Sequence, residues 1–250
     1  MAKVVCITGV AGGIGGATAE VFAKSNWHVV GVDCIKPSKM PTCIRRYIHA
    51  DLGNVTEVKR VFDEISQQEC RLDVLINNAA VQITKRLVDT EPDEWDQLMA
   101  VNVRSVYLSI KHAFPLLSRQ GGCIVNVSSV HAIATSENVA AYATSKGAVV
   151  ALTRAAALEL AANGIRVNAI LPGAVDTEML RSGLTRDHAG RGTMEQRLKT
   201  LAKKHVLGRL GLPEEIAQMI LFLVDNKKSA FITGQSIIVD GGATARLSTE

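Results

Sequence analysis

A single α/β domain with a doubly wound, parallel, seven-stranded sheet is the fold this sequence predicts. Three observations carry the prediction. Short β-branched runs alternate with longer helical patterns. Most of those short runs are apolar nearly throughout, as strands covered on both faces must be. The first of them leads directly into a glycine-rich turn and a helix. With 250 residues, 47% of them hydrophobic, the chain fills one large domain or two small ones. No linker, internal repeat or low-complexity tract divides it, so residues 1–250 are read as one domain.

In chain order, strands are expected at 4–9, 28–33, 45–51, 72–79, 123–129, 165–173 and 236–242. Helices are expected at 13–25, 55–69, 93–118, 140–162 and 213–224. The fourth helix is rich in Ala and Leu and ends at Asn163-Gly164, a residue pair suited to a C-terminal stop. The fifth opens with Pro213-Glu214-Glu215, a proline in the first turn followed by acids. The β-α-β order implies right-handed crossovers. The segment 176–205 breaks the alternation. It is long and polar, and between 178 and 205 its cations outnumber its acids by as much as the whole chain's net charge of +4. An excursion of this kind inside a compact domain is usually functional or mobile.

That net charge is too small to predict nucleic-acid or membrane binding. The five cysteines are scattered, odd in number and without a CxxC pair, so free thiols are expected and a metal site is not. The first residues make a poor signal peptide, and no apolar run reaches the roughly 20 residues that span a bilayer. A cytoplasmic location is the expectation.

Gly9, Gly13 and Gly15 follow the first strand in a G-x-x-x-G-x-G pattern and open a helix. Glycine permits a tight turn and close backbone approach, and the helix N-terminus offers N–H groups to a pyrophosphate. A glycine-rich turn without a ligand would look the same in sequence. Asp33 ends the second strand, where a carboxylate can accept from both ribose hydroxyls of an adenosine and repel a 2′-phosphate. No arginine follows it, which favours NAD over NADP, although Lys36 is near. The stretch Asn77-Asn78-Ala79-Ala80 ends another strand, where Asn77 and Ala79 are placed to line that ribose. Ser128 and Ser129 end a third strand, and thirteen residues after Ser129 comes Tyr142, with Lys146 one helical turn further. A free tyrosine titrates near pH ~10, and an ammonium nearby lowers that value. In most helices Tyr-x-x-x-Lys is only a half-buried tyrosine and a surface lysine. Here the glycine loop, the acidic strand end and the upstream serine shift the balance towards an acid/base pair.

Taken together, these residues resemble the short-chain dehydrogenase/reductase family, in its soluble branch of about this length. The stretch 8–15 resembles the family's T-G-x-x-x-G-x-G, 77–80 its N-N-A-G, 142–146 its Y-x-x-x-K and 172–177 its P-G-x-x-x-T. Residues 213–242 resemble its usual C-terminal end, so the likeness covers nearly the whole chain in order. It implies a Rossmann-type fold, a nicotinamide cofactor and a homotetramer. It makes Tyr142 the general acid/base, with Lys146 tuning it and binding the nicotinamide ribose. Ser129 would orient the substrate oxygen, and Asn102 would support a proton-relay water. The implied cofactor contacts are Gly9, Gly13, Ile14, Gly15, Asp33, Asp51, Leu52, Asn77, Ala79, Tyr142, Lys146, Pro172, Gly173, Val175 and Thr177. Ala80, where the motif has glycine, is a departure.

At the substrate end, the resemblance implies that the segment 176–205 closes the pocket as a mobile lid. Gln82 and His131 follow two strand ends and are candidates to face the substrate. The expected reaction is NAD-linked hydride transfer on a secondary alcohol or carbonyl. A sugar, polyol or hydroxy acid leads the candidates, and a 3-oxoacyl thioester is the alternative. Glucose-dehydrogenase-like and oxoacyl-reductase-like members share these motifs. A cofactor-binding scaffold without chemistry is the reading from another class, and retention of Ser129, Tyr142 and Lys146 weighs against it.

Overall fold

The computed structural model describes residues 2–185 and 192–246. Seven parallel strands form one sheet: β1 (Val4–Thr8), β2 (His28–Asp33), β3 (Arg46–His49), β4 (Val74–Asn77), β5 (Gly122–Val127), β6 (Ile165–Pro172) and β7 (Ser236–Val239). Their spatial order is β3-β2-β1-β4-β5-β6-β7. The order reverses between β1 and β4, both of which have adjacent carboxyl ends there. In a doubly wound sheet that reversal opens the crevice where ligands bind.

Side-chain alternation along β1 explains why both faces are covered. Val4 and Cys6 point into a core shared with Val58, Phe62 and Ile65 of α2 (Val55–Glu69) and Leu116 and Leu117 of α4 (Ser105–Leu117). Val149 and Ala156 of α5 (Ala140–Leu160) complete that face. Val5 and Ile7 point the other way, against Ala19 and Phe22 of α1 (Gly13–Lys24) and Ile216, Ile220 and Leu223 of α8 (Pro213–Val224). Each buried Leu, Ile, Val or Phe side chain removes enough apolar area to contribute about 1.5–3 kcal/mol. The two cores together therefore anchor every strand end that carries the site.

One expectation is corrected. The helix expected over 93–118 is three pieces: α3 (Pro92–Met99), a single π turn (Ala100–Arg104) and α4. The cause is tertiary. Asn102 is turned inward and fully bonded there, and the wider turn accommodates it. The polar excursion carries two helices, α6 (Glu178–Leu184) and α7 (Met194–Ala202), the latter opened by a Thr193/Gln196 capping box. Part of the expected lid, 186–191, lies outside the described residues. A short α9 (Asn226–Ser229) precedes β7.

Candidate active site

The glycine turn is shaped by its neighbours across the crevice. Gly9 adopts φ +68°, and a methyl there would fall 2.7 Å from the Cα of Ala79. Gly15 admits no side chain at all, because its Cβ would lie 2.1 Å from the Gly9 carbonyl oxygen. Gly13 faces Thr177, whose Cγ2 would be 2.7 Å from an added Cβ. The Asn78 amide donates to the carbonyls of Thr8 (3.0 Å) and Gly9 (2.9 Å), while Thr8 Oγ1 accepts from the N–H groups of Asn78 and Ala79. α1 begins behind Gly12 with no side-chain cap and no acid in its first turn. The N–H groups of its first turn are therefore left without a side-chain cap from the helix itself. This is a cradle that fits a dinucleotide pyrophosphate.

Asp33 is buried at the end of β2, and its two carboxylate oxygens accept from the N–H of Ala11 (2.9 Å) and of Ile35 (2.9 Å). The carboxylate is thus aimed and held by the glycine turn itself. Asp51 is exposed and accepts from the Gly53 N–H at 2.8 Å, with buried Leu52 between them in the core. Ile14 packs partly buried on the α1/α8 side. Ala80 has no positive φ, so its methyl group is accommodated in the turn.

Adjacent asparagines take different tasks. The Asn77 amide donates to Asn126 (2.8 Å), and Asn126 donates to Thr153 Oγ1 (2.9 Å). Asn77 therefore ties β4 to β5 and α5. Asn78, which the sequence reading did not single out, shapes the turn. A strand's two-residue period separates the pair but does not say which one faces the glycines.

At the carboxyl end of β5, Ser128 is a structural residue: its hydroxyl donates to the Lys146 carbonyl at 2.8 Å. Ser129 is buried, and its hydroxyl accepts from the His131 N–H at 3.2 Å. Tyr142 and Lys146 are both buried on one face of α5. The Lys146 ammonium donates to the Val127 carbonyl at 2.9 Å and sits 5.5 Å from the Tyr142 ring centre. Burial pushes the Tyr142 phenol up to about 12, partly opposed by Ser129. It pushes the Lys146 ammonium down to about 8. Desolvation is the largest influence on both groups.

Asn102 closes the site from beneath. Its amide exchanges hydrogen bonds with both backbone groups of Val81 (2.8 and 2.9 Å) and donates to Ser145 Oγ (3.0 Å). Ser145 in turn donates to the Tyr142 carbonyl at 2.7 Å. The side chain of Asn102 holds the loop after β4 against the helix that carries Tyr142. His131 sets its ring edge-on to Tyr142 at 5.8 Å, bonds Thr135 through Nδ1 at 3.0 Å, and is kept below the ordinary histidine range by burial. Gln82 lies under α6, its amide oxygen 3.7 Å from where a Gly183 side chain would begin.

On the far side, the turn after β6 carries Pro172, Gly173 and Val175, and Thr177 Oγ1 caps α6 by accepting from the Leu180 N–H. Two of the five described cations between 178 and 205 are paired, Arg181 forking onto Asp176 (2.8 Å) and Lys199 meeting Glu195 (2.8 Å), while Arg197 donates to the Leu184 carbonyl. Arg186, Asp187 and Arg191 lie outside the described residues. Among the described residues no group of three His, Cys, Asp or Glu side chains gathers as a metal site, and no helix is long and apolar enough to cross a membrane.

A family model described as Enoyl-(Acyl carrier protein) reductase matches residues 9–244. The chain is 34% identical to meso-2,3-butanediol dehydrogenase of Serratia marcescens, over 97% of this chain and 95% of that one. It is 35% identical to a 3-oxoacyl-acyl-carrier-protein reductase of Thermotoga maritima, over 96% and 97%. The ligand-free aldohexose dehydrogenase of Thermoplasma acidophilum superimposes with a TM-score of 0.93 at 32% identity, covering 100% of this chain and 96% of that one. Glycine cradle, serine, tyrosine and lysine on this sheet edge agree with these likenesses: the chain belongs to the short-chain dehydrogenase/reductase family of nicotinamide-dependent oxidoreductases.

Proposed function

We propose that the protein is an NAD-dependent dehydrogenase of a secondary alcohol that carries a second polar group, such as a polyol, sugar or hydroxy acid. The observation that carries this reading is the convergence of Ser129, Tyr142 and His131 at the end of β5, above a buried ammonium. A bound dinucleotide supplies the hydride acceptor, held by the glycine turn, by Asp33 at the adenosine ribose and by the turn at Pro172–Thr177.

Tyr142 takes the hydroxyl proton in oxidation and returns it in reduction. Ser129 donates to the substrate oxygen as charge develops on it. Lys146 stabilises the phenolate, and Asn102 fixes the loop and helix that bring these groups together. The neutral His131 ring, beside Tyr142, is placed to bond the second polar group of the substrate. Asp33 supports NAD, because a 2′-phosphate would meet a carboxylate whose two oxygens already hold the turn.

A homotetramer in the cytoplasm fits the chain's surface and thiols. Leu158 on α5 and Phe231 and Ile238 beside or on the edge strand β7 are exposed apolar residues that a second copy would cover, and all five cysteines are free. Light scattering tests the assembly.

The test of function is a panel of polyols, sugars, hydroxy acids and 3-oxoacyl thioesters, each assayed with NAD and NADP in parallel. Turnover of vicinally hydroxylated alcohols with NAD is expected. Preference for a thioester with NADPH would replace this reading with the reductase alternative. Tight dinucleotide binding without turnover of any alcohol or carbonyl would mark a scaffold.

A further inference from the structure

His205 belongs to none of the motifs above. It follows α7, and its ring is buried against the turn after β6. The Ala174 N–H donates to its Nε2 at 3.3 Å, and its Nδ1 lies 3.1 Å from the carbonyl oxygen of Leu201 in α7. A carbonyl oxygen only accepts, so Nδ1 carries the ring proton and Nε2 presents its lone pair. The two partners thereby fix one neutral tautomer.

The same turn is clamped on its other sides. The Ala174 carbonyl accepts from Gly211 at 2.9 Å, and the Asp176 N–H donates to the Gly211 carbonyl at 3.0 Å. Gly173 packs so closely on Asp240 that an added Cβ would lie 2.8 Å from its Cα. Asp240 is itself held by the N–H groups of Gly242 (2.8 Å) and Thr244 (2.7 Å). His205 is the side chain that connects this clamped turn to α7. A leucine of similar size would fill the space without partners. A buried imidazole, by contrast, is accommodated only because both nitrogens are satisfied by main chain from two different segments.

We propose that His205 is a positioning residue: by holding the Ala174 N–H it sets the backbone of Gly173–Val175 that grips the nicotinamide half of the cofactor, and it couples that grip to α7. The proposal rests on the reading of Pro172, Gly173 and Val175 as cofactor contacts.

Three variants separate this role from simple packing. His205→Gln keeps an acceptor near the Nε2 position. His205→Asn reaches only the Nδ1 position and retains the link to Leu201. His205→Leu loses both. Calorimetry of dinucleotide binding to the free protein, melting temperature, and separate kcat and KM values are measured for each. The Leu and Asn variants are expected to weaken dinucleotide binding about tenfold, the effect of one buried hydrogen bond. Their cofactor KM should rise more than kcat falls, and Gln should restore binding to within about threefold.

Equal affinities in all variants, with only a melting-temperature loss, would overturn the proposal and leave the reading of the site intact. If the wild type binds neither NAD nor NADP, the reading of the site falls, and the proposal with it. Should His205→Leu fail to fold, the comparison of Gln with Asn decides alone: Asn binding as tightly as Gln overturns the proposal.

Discussion

Lys146 reaches from α5 to the sheet, where its ammonium donates to the carbonyl oxygen of Val127 at 2.9 Å, two residues before Ser129 at the same strand end. That bond fixes the charge beneath the Tyr142 ring and makes Lys146 a costly residue for the fold. Burial lowers it from an ordinary 10.5 to about 8.

A stability prediction follows from that burial. Between about pH 8 and 10.5 the unfolded chain binds the Lys146 proton and the folded chain does not. Stability therefore rises with pH across this window. Relative to Lys146→Met, which has no such proton, the wild type should gain up to about 3 kcal/mol over the window. Denaturant melts of both proteins at pH 7.5, 9 and 10.5 measure it. A constant difference would mean that Lys146 keeps its charge in the folded protein.

Gly15→Ala should cost dinucleotide binding before it costs the fold. Its methyl would lie 2.1 Å from the Gly9 carbonyl, so the turn must open. Asn78→Ala should act more mildly, by roughly 1–3 kcal/mol of binding or stability, through loss of its bonds to Thr8 and Gly9. Calorimetric affinities for NAD rank the two, with Gly15→Ala the weaker binder.

The seven strands, the α1 turn and the Ser129–Tyr142–Lys146 set were legible in the sequence because each is written locally. Apolar runs mark the strands, glycines mark the turn, and a four-residue spacing marks one helix face. The break at Ala100–Arg104 was not legible. The stretch around it keeps a helical pattern without glycine or proline, and the π turn arises from the distant bond of Asn102 to Val81. Asn78 and His205 escaped for the same reason: their roles depend on backbone groups 69 and 31 residues away. The Tyr142 phenol shows the limit for chemistry. Spacing reveals its partner, but only the fold reveals how strongly burial opposes it.

Asp33→Ala should narrow the preference for NAD over NADP by about 10- to 100-fold, the effect of losing hydrogen bonds to one charged group. It also removes the acceptor for Ala11, so affinity for both dinucleotides should fall. The ratio of kcat/KM values for NAD and NADP is the measurement. An unchanged ratio would remove Asp33 from cofactor selection.

The role of Tyr142 as acid/base sets the pH dependence. Oxidation needs the phenolate, so kcat/KM for the alcohol should climb from neutral to alkaline pH, while reduction, which needs the phenol, should not climb. The most direct measurement compares Tyr142→Phe with the wild type over this range, alongside calorimetric dinucleotide affinity. Affinity lowered no more than about tenfold, the effect of one lost hydrogen bond, is expected together with a loss of about 10²- to 10⁴-fold in kcat and no rising limb. Turnover near the wild-type rate with the alkaline rise intact would contradict that role of Tyr142.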